Sequence, residues 1–179
     1  MSDLVRMSKF LSLVLRHKPE KIDIELDHNG WANIKELVSK FAIKNPNMTE
    51  EVLLQIVAQD EKKRYSISED GERIRANQGH SIDVDVGFEK RSPPSILYHG
   101  TATRFLESIN QQGLIKGSRQ YVHLSDNRNT AITVGRRHGS PAILRIDAER
   151  MAQIGYEFFI SENGVWLTEK VPPEFFVVE

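Results

Sequence analysis

Along the first half of the chain, apolar residues recur first with helical spacing and then with strand spacing. Three stretches carry apolar side chains three or four positions apart, which predicts amphipathic helices. The first ends before Pro19, and the other two begin after Asn33 and Thr49, residue types that favour helix N-caps. From residue 64 to 76 the spacing changes to two, with a turn at Asp70-Gly71, which predicts a β-hairpin.

The second half of the chain contains more strand-like segments. Gly87, Pro93 and Pro94 indicate a linker before it. Alternating apolar residues then predict strands at 96–98, 121–124, 142–146, 156–160, 165–168 and 175–178. Short helices are expected at 102–111, ended by Gly113, and at 127–138, capped by Asp126. We therefore expect an α+β chain with a winged-helix-like lobe over 1–80, a linker over 81–95 and a mixed β lobe over 96–179.

Composition narrows the classes of function. The chain of 179 residues has no cysteine, which excludes disulfides, thiolate nucleophiles and cysteine metal sites. No apolar run approaches the roughly 20 residues of a membrane helix, and the N-terminus lacks a signal-peptide pattern. We expect a cytoplasmic protein that makes no membrane contact, and the sequence indicates no obligate protein partner.

Charge is distributed unevenly along the chain. The net charge is −1, but residues 99–146 carry seven basic and only two acidic side chains. Six of the seven are arginine, whose planar guanidinium matches phosphate oxygens. This stretch fits either a phosphate-binding surface or a solvated basic face.

Basic residues also stand at two places in the first half. Arg16 and His17 fall in the last turn of the first predicted helix, where the helix dipole favours a protonated histidine. Adjacent cations suit an anion with several oxygens, although they also fit an ordinary helix end. Arg64 lies on the polar side of its predicted strand, facing solvent or a cleft.

Polar residues follow the predicted strands of the second half. Tyr98-His99-Gly100-Thr101 stands at an expected strand end, where ligands often bind, and its glycine would let a ligand approach the backbone. His123 and Ser125 share one strand face and suit a pocket lining, while the segment Gly135–Gly139 could hold a pyrophosphate. Each also fits a structural role as a turn, an edge strand or a helix end. Because no standard dinucleotide or P-loop motif is present, the residues alone indicate a polyanion-binding protein without identifying NAD.

Seven short segments in this order resemble the RNA 2′-phosphotransferase family. They are Leu11–His17, Gly30-Trp31, Arg64-Tyr65, Ala76–Ser81, Tyr98–Thr101, Val122–Ser125 and Gly135–Gly139. The chain departs from the family pattern at Tyr121, where histidine is frequent, and at Gly117, where larger residues are usual. The resemblance implies a winged-helix-like first lobe and a second lobe of the ADP-ribosyltransferase fold.

The resemblance also implies the activity and its residues. The RNA 2′-phosphate, of the tRNA splice-junction type, would attack the nicotinamide ribose of NAD and expel nicotinamide, giving an ADP-ribosylated RNA intermediate. The ribose 2″-hydroxyl would then attack phosphorus, which frees the RNA 2′-hydroxyl and yields ADP-ribose 1″,2″-cyclic phosphate without a metal. The implied catalytic set is Arg16, His17, Arg64 and Arg119. NAD contacts are expected from His99, Gly100, Thr101, His123, Ser125, Gly135, Arg137, His138 and Gly139.

Two alternatives have different consequences in the sequence. An ADP-ribosyltransferase that modifies nucleic-acid ends or proteins would use the same fold, but protein-modifying relatives usually place a catalytic glutamate late in the chain. The region around residues 164–166 is hydrophobic, although Glu162 and Glu169 lie close by. A non-enzymatic winged-helix binder would need a basic recognition helix. The segment 33–44 has three lysines and no arginine, which argues against it.

Overall fold

The computed structural model describes residues 2–179, which form a mixed α/β structure with six α-helices and twelve β-strands. The described chain divides into two compact units, a first unit that runs to Gly87 and a second unit, Phe88–Glu179. Every strand pair within the described residues is antiparallel.

The first unit begins with the three predicted helices. They are α1 (Asp3–Arg16), α2 (Ile34–Lys44) and α3 (Glu50–Ala58). The side chains of Asn33 and Thr49 accept hydrogen bonds from backbone N–H groups in the first turns of α2 and α3, which confirms both predicted N-caps. A short 3₁₀ helix, Pro19–Ile22, follows α1.

A three-stranded sheet completes the first unit. It contains β1 (Ala32–Asn33), β2 (Tyr65–Ile67) and β3 (Arg73–Ala76) in the order β1-β3-β2. Tyr65 pairs with Ala76, so the predicted hairpin is confirmed. Helices and sheet share one apolar core, which includes Leu11, Leu37, Phe41, Leu53 and Ile74.

The second unit consists of short strands and three helices. The strands are β4 (Glu89–Lys90), β5 (Ile96–Ala102), β6 (Leu114–Ile115), β7 (Val122–Leu124), β8 (Pro141–Asp147), β9 (Phe159–Ile160), β10 (Trp166–Thr168), β11 (Lys170–Val171) and β12 (Phe176–Val178). The helices are α4 (Leu106–Gln112), α5 (Arg128–Arg136) and α6 (Ala148–Gln153), with 3₁₀ turns at Thr103–Phe105 and Pro173–Phe175. The sheets have the orders β4-β9-β10-β7, β12-β8-β5 and β11-β6.

Two sequence predictions about the second unit are wrong. The cap of α5 is Asn127 rather than Asp126, because Asn127 directly precedes the first helical residue and its side chain accepts the N–H of Thr130 at 3.1 Å. The segment Tyr98–Thr101 does not end a strand. It lies inside β5, which continues to Ala102 and pairs with β8 along its whole length. The predicted end of α4 at Gly113 is confirmed.

Helix α5 packs on β5 through two glycines. A Cβ atom added to Gly100 would lie 1.7 Å from the carbonyl oxygen of Ala131 in α5, and one added to Gly135 would lie 2.7 Å from the carbonyl oxygen of Thr101. No side chain fits at such distances, so the helix and strand backbones are in direct contact. The expectation that Gly100 leaves space for a ligand is therefore wrong, because the backbone of α5 occupies that space.

Candidate active site

The C-terminal end of α1 places Arg16 and His17 beside the segment that follows the sheet of the first unit. His17 caps the helix, and its N–H donates to the carbonyl of Leu13 at 2.9 Å. Its Nδ1 lies 2.8 Å from Oγ of Ser81, whose own N–H donates to the carbonyl of Arg16 at 3.0 Å. Ser81 thus fixes both the helix end and the histidine ring.

Arg64 is held by an acidic neighbour just after α3. Asp60 accepts hydrogen bonds from both the backbone N–H and the guanidinium of Arg64. The side chain of Asp60 is 5% exposed and that of Arg64 is 31% exposed, so the carboxylate is buried while part of the guanidinium faces outward. The carbonyl of Arg64 also accepts the N–H of Asn77 at 2.8 Å, which anchors its backbone.

His17 and Arg64 line the same groove. The groove has a volume of about 480 Å³ and is formed within the first unit by α1 and the start of β2. Because a histidine and an arginine both contribute to its lining, the groove is suitable for a phosphate group. Arg16 is half-buried at the end of α1 and is not among the residues that line the groove.

A buried histidine lies close enough to Arg16 and His17 to be affected by their charges. His80 is 1% exposed, and neither ring nitrogen has a hydrogen-bond partner within residues 2–179. Burial, together with the positive charges of Arg16, His17 and Arg75, lowers the pKa of His80 to about 4. His80 is therefore neutral at pH 7.

The second unit brings together Arg119 and three of the predicted NAD residues. Nη1 of Arg119 lies 3.2 Å from Nδ1 of His123 on β7. The carbonyl of His123 is 2.9 Å from Nδ1 of His99 on β5. Ser125 exchanges two backbone hydrogen bonds with Tyr98, at 2.7 and 2.9 Å, which joins the end of β7 to β5.

Burial controls the protonation of this cluster. It lowers the pKa of His99, against a raising effect of the hydrogen bond to His123, and the charges of His138 and Arg119 lower it further. Because a carbonyl only accepts, Nδ1 of neutral His99 must carry the proton, which leaves Nε2 as an acceptor. Burial also lowers the pKa of Arg119 from its ordinary value.

The remaining predicted NAD residues differ in exposure. Thr101 and Gly135 are buried at the contact of β5 with α5. Arg137, His138 and Gly139 follow α5 and are exposed. Helix packing therefore accounts for the two glycines at 100 and 135, while the exposed basic side chains remain available to a ligand.

The chain matches the model of the family described as RNA 2′-phosphotransferase, Tpt1 / KptA family, over residues 2–170. The chain belongs to this family. Among similar proteins, a probable RNA 2′-phosphotransferase of Pectobacterium carotovorum is 57% identical over 170 residues, covering 94% of this chain and 91% of the relative. One of Acaryochloris marina is 52% identical over 174 residues, covering 97% and 96%. One of Fusobacterium nucleatum is 51% identical over 176 residues, covering 98% of each.

Two residues that position this family member's basic side chains were missed in the sequence. Asp60 stands four positions before Arg64, but both residues lie outside α3, which ends at Ala58, so the i,i+4 pairing rule for helices gives no signal for this pair. Ser81 lies 64 positions from His17, and no local pattern connects them.

Two further properties concern ligands and membranes. No group of three or more His, Asp or Glu side chains that could hold a metal ion occurs between residues 2 and 179. Over the same range, no helix is both long enough and apolar enough to cross a membrane.

Proposed function

We propose that this protein removes an internal 2′-phosphate from RNA, of the type left at a tRNA splice junction, by transferring it to NAD as the second substrate. NAD supplies the ribose that accepts the phosphate, and the products are RNA with a free 2′-hydroxyl, nicotinamide and ADP-ribose 1″,2″-cyclic phosphate. Membership of the RNA 2′-phosphotransferase family supports the reaction. The observation that carries it is the joint lining of one groove by His17 and Arg64.

In this proposal the first unit holds the RNA phosphate. The guanidinium of Arg64, oriented by Asp60, contacts phosphate oxygens and stabilises the charge that develops on them. His17 is the member of the set that can give up a proton near neutral pH, since arginine stays charged. His17 therefore delivers the proton to the departing RNA 2′-oxygen. Arg16 and Arg119 complete the proposed catalytic set.

The second unit fits NAD by the chemistry of its polar groups. Nε2 of His99 is an acceptor for a sugar hydroxyl. The carbonyl of His123 accepts from Nδ1 of His99. Ser125 is hydrogen-bonded through its backbone to Tyr98, the residue before His99. The exposed Arg137 and His138 suit a pyrophosphate. We assign Gly100, Thr101, Gly135 and Gly139 to the backbone frame of this site.

The lobes fit the same interpretation. Three helices followed by a three-stranded antiparallel sheet support a winged-helix-like first lobe. The short antiparallel sheets of the second unit support an ADP-ribosyltransferase-like lobe. We propose domain limits of 1–80 and 96–179, joined by a linker over 81–95.

The reaction is tested by incubating the full chain with a 2′-phosphorylated oligonucleotide, with and without NAD, and identifying all products by mass spectrometry. We expect one nicotinamide released for each RNA dephosphorylated. Free phosphate formed without NAD would indicate hydrolysis and contradict the proposal. RNA or protein that permanently retains ADP-ribose would indicate an ADP-ribosyltransferase instead.

A further inference from the structure

The groove that holds His17 and Arg64 is larger than a phosphate group needs. Its volume of about 480 Å³ lies in the range of roughly 300–1,000 Å³ that is typical of small-molecule pockets. His17 stands at the C-terminal end of α1, and the groove follows the helix from there back to Val5. Twelve residues of helix correspond to about 18 Å, so most of the groove is out of reach of the bound phosphate.

One face of α1 provides the wall of this groove. Met7, Leu11, Val14 and Leu15 bury the opposite face in the core of the first unit. Residues spaced three and four apart on the outer face therefore point into the groove. They are Val5, Ser8, Lys9, Ser12 and Leu13.

The groove has the chemistry of a site for a sugar phosphate. Lys9 brings an ammonium group, Ser8 and Ser12 bring hydroxyls, and none of the eight lining residues is acidic. Tyr65 lies buried at its side, and its hydroxyl donates to the carbonyl of Ser8 at 3.2 Å. Burial raises the pKa of Tyr65, so no negative charge arises there at neutral pH.

We propose that the groove along α1 is the subsite for the nucleotide adjacent to the 2′-phosphate, with Lys9 contacting its phosphodiester and Ser8 and Ser12 its sugar. The inference rests on the proposed function, because His17 and Arg64 are the groups assigned to the 2′-phosphate itself. It gives α1 two tasks, holding the reacting phosphate at its C-terminal end and the RNA strand along its outer face.

The test compares the binding of two probes to the full chain by calorimetry. One probe is a 2′-phosphorylated RNA hexamer, and the other is adenosine 2′-phosphate, which has no flanking phosphodiester. Lys9→Ala should weaken hexamer binding about threefold to fivefold. It should also reduce the slope of log Kd against log salt by about 0.7, the value for one phosphate contact on a single strand. Binding of adenosine 2′-phosphate should stay unchanged.

Two further variants sharpen the result. Ser8→Leu places a larger side chain in the groove and should weaken hexamer binding more than Lys9→Ala does. Lys35→Ala removes an exposed lysine of α2 outside the groove and serves as the matched control, with affinity and salt slope like the wild type. Thermal unfolding confirms that each variant is folded. If Ser8→Leu does not fold, the exposed Lys9 substitution decides alone.

The subsite and the proposed function fail in different ways. Wild-type affinities of Lys9→Ala for both probes, in a protein that still prefers the phosphorylated hexamer, would overturn the subsite only. A wild-type protein that binds the hexamer no better than its 2′-hydroxyl counterpart would overturn the proposed function. Equal losses for both probes would place Lys9 at the reacting phosphate and would also contradict the subsite.

Discussion

At the scale of single residues, Asp60 decides where the guanidinium of Arg64 lies. The buried carboxylate accepts from the backbone and from the side chain of the same arginine, which leaves the guanidinium little freedom. Such an arrangement orients a charge for a bound anion at the cost of partly neutralising it. Asp60 is therefore a positioning residue for the proposed phosphate site.

Asp60→Asn should lower turnover of 2′-phosphorylated RNA by about 10- to 100-fold, because small displacements of a substrate-binding group have effects of that size. Asparagine keeps the shape but loses one of the two acceptors. NAD affinity should stay unchanged, and Asp60→Glu should restore part of the rate. Glu36→Gln removes a comparable i,i+4 pair with Lys40 on α2 and is the control. Equal losses in both variants would contradict a positioning role.

His80 gives the fold a dependence on pH that can be measured separately from activity. Its pKa is about 4 in the folded chain against an ordinary 6.5, so the unfolded state takes up the proton first as pH falls. His80 should lower the free energy of unfolding by about 3 kcal/mol between about pH 6.5 and pH 4. Below pH 4 this histidine should cause no further loss.

His80→Leu should remove this decline, because leucine takes up no proton in either state. An apolar side chain of similar size also needs no hydrogen bonds at this buried position. Urea unfolding at several pH values measures it. The exposed His28 offers a control, since His28→Asn should retain the wild-type pH dependence. An unchanged slope in His80→Leu would show that other groups cause the acid sensitivity.

At the scale of elements, the packing of α5 on β5 requires a residue without a side chain at position 100. Gly100→Ala would drive a Cβ into the backbone of Ala131 at 1.7 Å, and neither element can yield without losing its partner. We expect a loss of about 3 kcal/mol or more in the free energy of unfolding. Gly117→Ala is the control, because a Cβ added there meets open space and only the positive φ of 59° is unfavourable. It should lower the free energy of unfolding by about 1–2 kcal/mol. Equal losses would mean that α5 shifts freely.

Sequence patterns predicted long amphipathic elements better than short helices or strands that are covered by other elements. The three helices of the first unit and the hairpin at Asp70-Gly71 follow from residue spacing and capping side chains. The six-residue α6 has too few turns to show a period, and it was missed. Strand β5 was predicted too short, because His99, Gly100 and Thr101 do not look apolar although β8 and α5 cover them.

At the scale of the whole molecule, the two proposed substrates are assigned to different compact units. His17, Arg64 and the groove along α1 belong to the first unit, while His99, His123 and Ser125 belong to the second. Short motifs suggested these residues in the sequence. The hydrogen bonds that hold them do not follow from short motifs, because they join residues far apart in the chain. Ser81 contacts the ring of His17, and the carbonyl of His123 contacts the ring of His99.

This division predicts that binding of the two substrates can be impaired independently. His99→Ala removes the acceptor Nε2 and should weaken NAD binding about tenfold, as expected for a hydrogen bond of 1–1.5 kcal/mol, while leaving 2′-phosphorylated RNA binding unchanged. Arg64→Ala should show the reverse pattern, because it removes a charge-assisted contact to phosphate. Calorimetric titration of each variant with each substrate alone gives the four affinities, and thermal unfolding shows whether the buried His99 substitution has kept the fold. Lost RNA affinity with intact NAD affinity in His99→Ala would reverse the assignment of the two units.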